Sequence, residues 1–490
     1  SEFLDISKGD RVALMMENRP ESIFSFFSIW AKKGIALSLD AGYTVEQLAY
    51  VLSDSTPKYI FISNKVKEVV EKANEKIGNI VKILVVDEIS LSDNYIPKQE
   101  EYHNDSDEEV AIIVYTSGTT GNPKGVMITY ENIRANMDGI TAANLVNDTD
   151  SILAMLPYHH IMPLCFTLIL PMYLGVPVIL LTEISSASLL KTLQENVVTV
   201  ILGVPRVWEM LDKAIMTKIN ESSLARFMFK MASKINSMSI RKMLFSKVHK
   251  QFGGHIRLMV SGGAKIDKNI LEDFRTMGFR AIQGYGMTET APIITFNVPG
   301  RERSDSAGEV IKDVEVKIAD DGEILVKGKN VMKGYYNNEQ ATKEAFDKDG
   351  WFRTGDLGKF EGKYLIIIGR KKEMIVLPNG KNIDPEKLEN KVIEKSKKLI
   401  KELGVFGHND KLVAIIVPDL LECRKQGITN IKAYIKNIVE DYNLTVHNYE
   451  KILDYKLYEE ELPKTRVGKL RRFMLPELYL KTNVKKKKVE

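Results

Sequence analysis

A chain of 490 residues exceeds one ordinary hydrophobic core, and a prior of about 150 residues per domain predicts two or three folded units. Its 44% hydrophobic and 27% charged residues are close to the globular average, which excludes disordered, collagen-like and disulfide-scaffold chains. A net charge of +4 leaves no footprint for nucleic acid, and two cysteines, Cys165 and Cys423, can build neither a disulfide framework nor a four-ligand zinc site; a reducing cytoplasm fits them.

The first residues show no signal-peptide pattern. From Arg11 onward, short β-branched runs such as "RVALMM", "IALSLD" and "KYIFISN" alternate with amphipathic ones such as "PESIFSFFSIWAKKG" and "TVEQLAYVLSDS". That alternation predicts βαβ units with parallel strands. Residues 161–181 carry no charge and are long enough to span a membrane, but Pro163, Pro171, Gly175 and Pro177 interrupt them, so a buried helix, a turn and a core strand are expected. The α/β pattern returns in "VVTVILGVP", "IRLMVSGGA" and "RAIQGYG", which predicts a second layer.

Residues 222–252 hold basic but no acidic residues, and Phe227, Met231, Ile235 and Met238 recur there at helical spacing. A basic amphipathic helix of this kind either rests on anionic lipid, as a peripheral contact with the inner membrane face, or packs as an insert with a solvated basic face. Beyond about residue 298, short strands and tight turns predict an antiparallel β-subdomain up to about residue 370. The lysine-rich residues 371–490 have strand and helix patterns of their own, with "GRKKEM" as the linker and "KKKK" near the end as a solvated tail. The expected fold is therefore α/β: a large N-terminal domain (1–370) of two α/β layers plus a β-barrel-like subdomain, and a small α+β C-terminal domain (371–490).

Directly behind the run "VAIIV" stands "YTSGTTGNPKG". Glycines let backbone approach a ligand closely, consecutive N–H groups in such a turn make a concave anion site, and hydroxyls and Lys124 add donors and charge. The combination suits a polyphosphate, although surface loops share this composition. Pro123 stands where the G-x-x-x-x-G-K-[ST] loop needs its second glycine, so that motif is excluded.

The order "TSGTTGNPKG" resembles the phosphate loop of the adenylate-forming superfamily of acyl-CoA synthetases, luciferases and peptide-synthetase adenylation domains. The resemblance continues in order through "GYGMTET" (284–290), "GEILVKGKNVMKGYY" (322–336), "GWFRTGDLG" (350–358), "GRKKEMIVLPNGKNIDPEKLE" (369–389) and "LPKTRVGKLRR" (462–472). It implies ATP and Mg2+ as cofactors and a carboxylic acid activated as its adenylate. On the same basis Thr116, Ser117, Gly118, Thr119, Thr120, Gly121 and Lys124 would hold phosphates, with Thr288 as a phosphate-contacting hydroxyl and Glu289 as the magnesium ligand. Gly284, Tyr285 and Gly286, with Gly262, Gly263 and Ala264 opposite, would flank adenine; Asp356 and Arg370 would meet the ribose. Lys469 resembles the catalytic lysine, and Lys372 the hinge about which family members rotate the small domain to admit a thiol.

Amino-acid-activating members carry an aspartate where this chain has "LPYHHIMPL", so a fatty or aryl acid is expected. His160 aligns with the family's pocket-wall histidine, and an apolar run also accommodates a packed core histidine; Pro163 stands where a glycine is frequent. "GVPRVWEML" resembles the long-chain fatty acyl-CoA synthetases, some of which gate the fatty-acid tunnel with an aromatic at the position of Trp208; a core tryptophan is the alternative. The expected activity is an ATP-dependent fatty acid:CoA ligase, with acyl carrier protein as the rival acceptor suited to the lysine-rich small domain. A non-catalytic nucleotide- or lipid-binding relative is the remaining alternative. The family also places a strand and a helix ahead of the point where this sequence starts.

Overall fold

The computed structural model describes residues 4–89, 106–116, 123–181, 183, 185–377, 382–396, 398–464 and 470–481. Ser117, Gly118, Thr119, Thr120, Gly121 and Lys469 lie outside the described residues. Two compact units divide the chain: residues 1–317, 325–354 and 360–366 make the first, and residues 318–324, 355–359 and 367–490 the second.

The first unit is built on two seven-stranded sheets, as the alternating runs predict. In the first sheet the strands run in the order Gly334–Tyr335, Lys124–Thr129, Val110–Thr116, Ile35–Ser38, Arg11–Met15, Tyr59–Ile62, Lys82–Val85. Its interior pairs are parallel, while Lys124–Thr129 joins Val110–Thr116 antiparallel with Thr116 opposite Lys124. The second sheet runs Glu309–Val310, Ile293–Phe296, Ala281–Gly286, Leu258–Ser261, Val200–Gly203, Ile152–Ala154, Val178–Leu180, again parallel inside and antiparallel at the Ile293–Phe296 end. Each sheet therefore ends in an antiparallel edge, and both edges carry motif residues.

Side chains alternate across a strand, and the cores follow that period. Val12 and Leu14 join Ile112, Val126, Val200, Leu202 and Ile282 in one core shared by the two sheets. Ala13 and Met15 face the opposite way, onto the helix Val45–Ser55 through Leu48 and Leu52. Ile201 and Met259 likewise turn to the outer face of the second sheet, where Trp208, Leu271 and Phe274 cover them. Residues 161–181 form short helical turns, a π-helical stretch at Leu164–Ile169, a left-handed Gly175 and the strand Val178–Leu180, matching the expected helix, turn and strand.

One expectation needs correcting. Residues 222–252 are three short helices, Ser223–Ala232, Met238–Leu244 and Ser246–Gln251, so Ile235 and Met238 do not continue the stripe of Phe227 and Met231. Ser222 and Ser237 cap two of them by accepting from Ala225 and Ile240 N–H; a serine offers the backbone this competing hydrogen bond wherever it starts a helix.

A four-stranded sheet in the order Val314–Ile318, Glu323–Gly328, Phe352–Glu361, Tyr364–Arg370 accounts for the expected β segment, its residues shared between the units. The second unit has its own core, where Leu388 and Val392 on Pro385–Lys395, and Ile435 and Val439 on Ile431–Asn443, cover the sheet of Ile400–His408, Lys411–Pro418 and Ile452–Leu457. Arg472 reaches both carboxylate oxygens of the buried Glu389, and Glu389 also accepts from Val405 N–H.

Candidate active site

The strand Lys124–Thr129 runs straight into the helix Tyr130–Ala142, and Thr129 caps that helix reciprocally with Asn132. One turn on, the fully buried Asn136 accepts from Ile293 N–H at 2.9 Å and donates to Thr290 O at 3.2 Å. The helix that follows the phosphate motif thus pins the turn that carries Thr288 and Glu289. Thr290 closes this turn by accepting from Met287 N–H at 3.1 Å.

Glu289 is held at both ends. Its carbonyl accepts from Met332 N–H at 2.8 Å, and its Oε1 accepts from Tyr335 Oη at 2.9 Å. Burial first, and then the carboxylate charge, push the Tyr335 phenol far above its ordinary range, so it remains a donor. On the ring face of the same tyrosine, Lys124 Nζ lies 5.0 Å from the centroid, within cation–π reach. Gly334 and Tyr335 pair with Met127 and Val126, which fixes this third motif against the phosphate strand. Lys124, Glu289 and Tyr335, from three separate motifs, therefore form one group.

Glu289 fits a magnesium ion. Its carboxylate is the hard oxygen donor that magnesium prefers, and magnesium takes one or two protein carboxylates and completes its shell with water and phosphate oxygens. Among the described residues, no three of His, Cys, Asp and Glu converge into an all-protein cage.

The glycines of "GYG" and "SGGA" have local reasons. A Cβ on Gly286 would come within 1.8 Å of Pro292 O, and one on Gly262 within 2.5 Å of Met162 Sδ; Gly263 adopts a left-handed φ of +79°. A Cβ on Gly284 would lie 3.2 Å from Thr295 O, and Tyr285 is half-buried on the same strand. Ala264 follows in the turn after Leu258–Ser261.

Asp356 is 5% exposed, and Arg370 Nε stands 3.1 Å from its Oδ1, so the two expected ribose residues are neighbours within the second unit. Glu323, also buried, accepts from Gly355 N–H and pairs with Lys371 at 3.0 Å, and Lys371 N–H bonds Gly355 O. Lys372, the next residue, is exposed.

His160 heads the helical turn Ile161–Pro163, with its ring 4.1 Å from that of His159; His159 Nε2 lies 3.8 Å from Asp40 Oδ1. Desolvation by the surrounding protein outweighs Asp40 and holds the His160 imidazole below the usual histidine range. Trp208 is 2% exposed, packs edge-on against Phe274 at 6.0 Å, and covers Gly203, where a Cβ would lie 2.7 Å from the indole. The gap beside it, lined by Met259, Ser261 and Leu271, is too tight for a water molecule. Tyr335 and Asp40 had no assigned role in the sequence analysis. Tyr335 already stood in a quoted motif, whereas nothing local marks Asp40.

The two α/β layers thus bring a lysine and a carboxylate to the same tyrosine, beside a glycine-bearing strand. Residues 3–336 match the AMP-binding enzyme family and residues 372–482 match the AMP-binding enzyme C-terminal domain, so the chain belongs to the AMP-binding enzymes of the adenylate-forming superfamily. It is 32% identical over 392 residues to long-chain-fatty-acid-CoA ligase 1 of Saccharomyces cerevisiae, covering 72% of this chain and 56% of that protein. Against long-chain-fatty-acid-CoA ligase 1 of Homo sapiens it is 28% identical, covering 84% of this chain and 65% of that protein. The chain thus spans less than two thirds of the length of these relatives. Its fold matches o-succinylbenzoate coenzyme A synthetase (MenE) of Bacillus subtilis, solved in complex with ATP and magnesium ion, with TM-score 0.74, 26% identity and coverage of 96% of this chain and 90% of that one. Among the described residues no helix is long and apolar enough to cross a membrane.

Proposed function

We propose that this protein is an ATP- and magnesium-dependent fatty acid:CoA ligase. A fatty acid carboxylate attacks the α-phosphorus of ATP, forming the acyl adenylate and releasing pyrophosphate; the thiol of CoA then attacks the acyl carbonyl, forming the thioester and releasing AMP. The grouping of Lys124, Glu289 and Tyr335 carries this reading, because two anions must meet in the first step and fixed positive charge and positioning dominate such a transfer. The names of the relatives supply the acid and the acceptor.

Lys124 and the hydroxyls of Thr116, Ser117, Thr119 and Thr120 bind the outer phosphates, and Thr288 contributes a further hydroxyl. Magnesium held by Glu289 would neutralise phosphate charge as pyrophosphate leaves. Tyr285 stacks on adenine, and Asp356 with Arg370 orients the ribose. Lys469 stabilises the charge shared by the attacking carboxylate and the α-phosphate. Lys372 is the pivot at which the small domain, beginning near residue 371, turns between the half-reactions. His160 lines the acyl wall, and Trp208 yields to the chain by rotating.

Pyrophosphate release with ATP, magnesium and fatty acids from short to long, run with no acceptor, with CoA and with acyl carrier protein, tests the proposal. Turnover that rises with CoA supports it. A rise with acyl carrier protein alone reassigns the acceptor, and no release with any acid rejects the ligase.

A further inference from the structure

Between Ser222 and Phe252 the chain has seven basic residues and no acidic one, but not all seven are available. Arg241 is spent on structure: its guanidinium donates to Ile235 O at 2.6 Å and Arg275 O at 3.1 Å. Arg226 bonds Asn220 O, and Lys242 Nζ lies 3.4 Å from Gly254 O. Lys230, Lys234, Lys247 and Lys250 are exposed, with no carboxylate paired to them among the described residues.

The same helices turn apolar side chains outward. Ser223–Ala232 packs Ala225, Phe229 and Ala232 inward on the outer core of the second sheet. Its opposite stripe is Leu224, Phe227 and Met231, at 66%, 62% and 46% exposure and spaced i, i+3, i+7. Met238–Leu244 repeats the pattern, with Leu244 inward and Ile240 and Met243 exposed at 44% and 67%. A surface helix ordinarily puts polar residues on its outer face. Here that face is apolar, and the cations flanking it are all of one sign and on flexible stems that can lie along an apolar surface while their heads stay solvated.

We propose that Ser223–Ala232 and Met238–Leu244 lie on an anionic bilayer surface, with Leu224, Phe227, Met231, Ile240 and Met243 among the acyl chains and the four exposed lysines at lipid phosphates. The flanking cations are all of one sign and none is paired with a carboxylate among the described residues, which complements the phosphates of an anionic headgroup layer, while the apolar stripe between them suits the acyl boundary beneath. The consequence for function rests on the fatty acid reading: the helix Pro205–Glu221, about 25 Å long, has Trp208 in its first turn and ends where the lipid-facing surface begins, so acid could be taken up directly from the membrane.

The test is sedimentation of the full chain with vesicles of phosphatidylcholine alone and with about one third phosphatidylglycerol, at low and high salt, without ATP, acid or CoA. Binding is expected only to the anionic vesicles and should be lost at high salt. Leu224→Ser with Phe227→Ser, and separately Lys230→Glu with Lys234→Glu, should each weaken it by about tenfold or more. Both variants should keep the parent Tm and the parent pyrophosphate release with a soluble short acid. No anionic-lipid binding, or binding indifferent to both pairs, overturns the proposal. So does a concentration-dependent dimer that the Phe227 variant abolishes without any vesicle binding, which would assign the face to a second copy of the chain. Because binding is read without substrates, its failure leaves the ligase standing, and intact binding with no pyrophosphate release would reject the ligase alone.

Discussion

Tyr335 donates its phenolic hydrogen to Glu289 Oε1 at 2.9 Å across 46 residues of chain, while Lys124 sits 5.0 Å above the centroid of the same ring. One side chain thereby orients the proposed metal ligand and seats the proposed phosphate lysine. Removing the hydroxyl leaves the ring, and so separates the two tasks.

Tyr335→Phe should lose a hydrogen bond to a charged group, worth about 1.5–3 kcal/mol, at the point where magnesium would bind. Half-maximal pyrophosphate release should need about tenfold more magnesium, with little change in kcat at saturation. Binding of Mn2+ to the ATP complex, followed by paramagnetic resonance, gives a readout independent of turnover. An unchanged metal requirement would remove the positioning role.

Lys469→Ala bears on the mechanism. Acyl adenylate formation should fall by about 10²–10³, the scale of losing one preorganised donor at developing charge, while thioester formation from supplied acyl adenylate should survive. Equal loss of both half-reactions would count against a lysine that serves the first step only.

Gly286→Ala tests whether that glycine is there for the fold. Its Cβ would meet Pro292 O at 1.8 Å, and backbone cannot yield as a side-chain tip can. A loss of about 1–3 kcal/mol is expected in denaturant unfolding, from overpacking. Unchanged stability with weakened ATP binding would instead place the requirement at the nucleotide.

Asp212 and Asp273 give a pH dependence. Burial chiefly, then neighbouring carboxylates, raise Asp212 from 3.8 to about 7 and Asp273 to about 6, and Asp212 Oδ1 is buried without a hydrogen-bond partner. A folded-state value above the unfolded one means that the fold favours the protonated acid. The associated stability is complete below the unfolded value and is lost as pH rises through the folded one. Asp212→Asn should therefore raise Tm over the parent increasingly from about pH 4 to about pH 7, with the gain levelling off above that. Thermal scans of both proteins across that range check it, and a gain that shrinks with rising pH would contradict it.

The sequence by itself determined the family and the layers of the large unit. Parallel strands buried on both faces leave β-branched runs such as "RVALMM" and "KYIFISN", and these can be read locally because the burial repeats within a few residues. The motifs that contain Lys124, Thr288, Glu289, Asp356 and Lys372 could be matched to the family for a similar reason, each being a short contiguous string. Local spacing was less secure at residues 222–252, where serine caps cut one expected helix into shorter ones and changed which apolar residues share a stripe.

Only the tertiary structure decided what meets across long separations. Glu289 with Tyr335, Asn136 with Thr290 and Ile293, and Asn132 with Val331 O, 199 residues away, are pairings that no local period encodes. Trp208 is the sharpest case: its motif allowed a tunnel gate or a core residue, and only the tertiary packing shows its indole buried between Phe274 and the bare Gly203. Burial is set by what the rest of the chain brings to a position, so the motif could name the residue but not its surroundings.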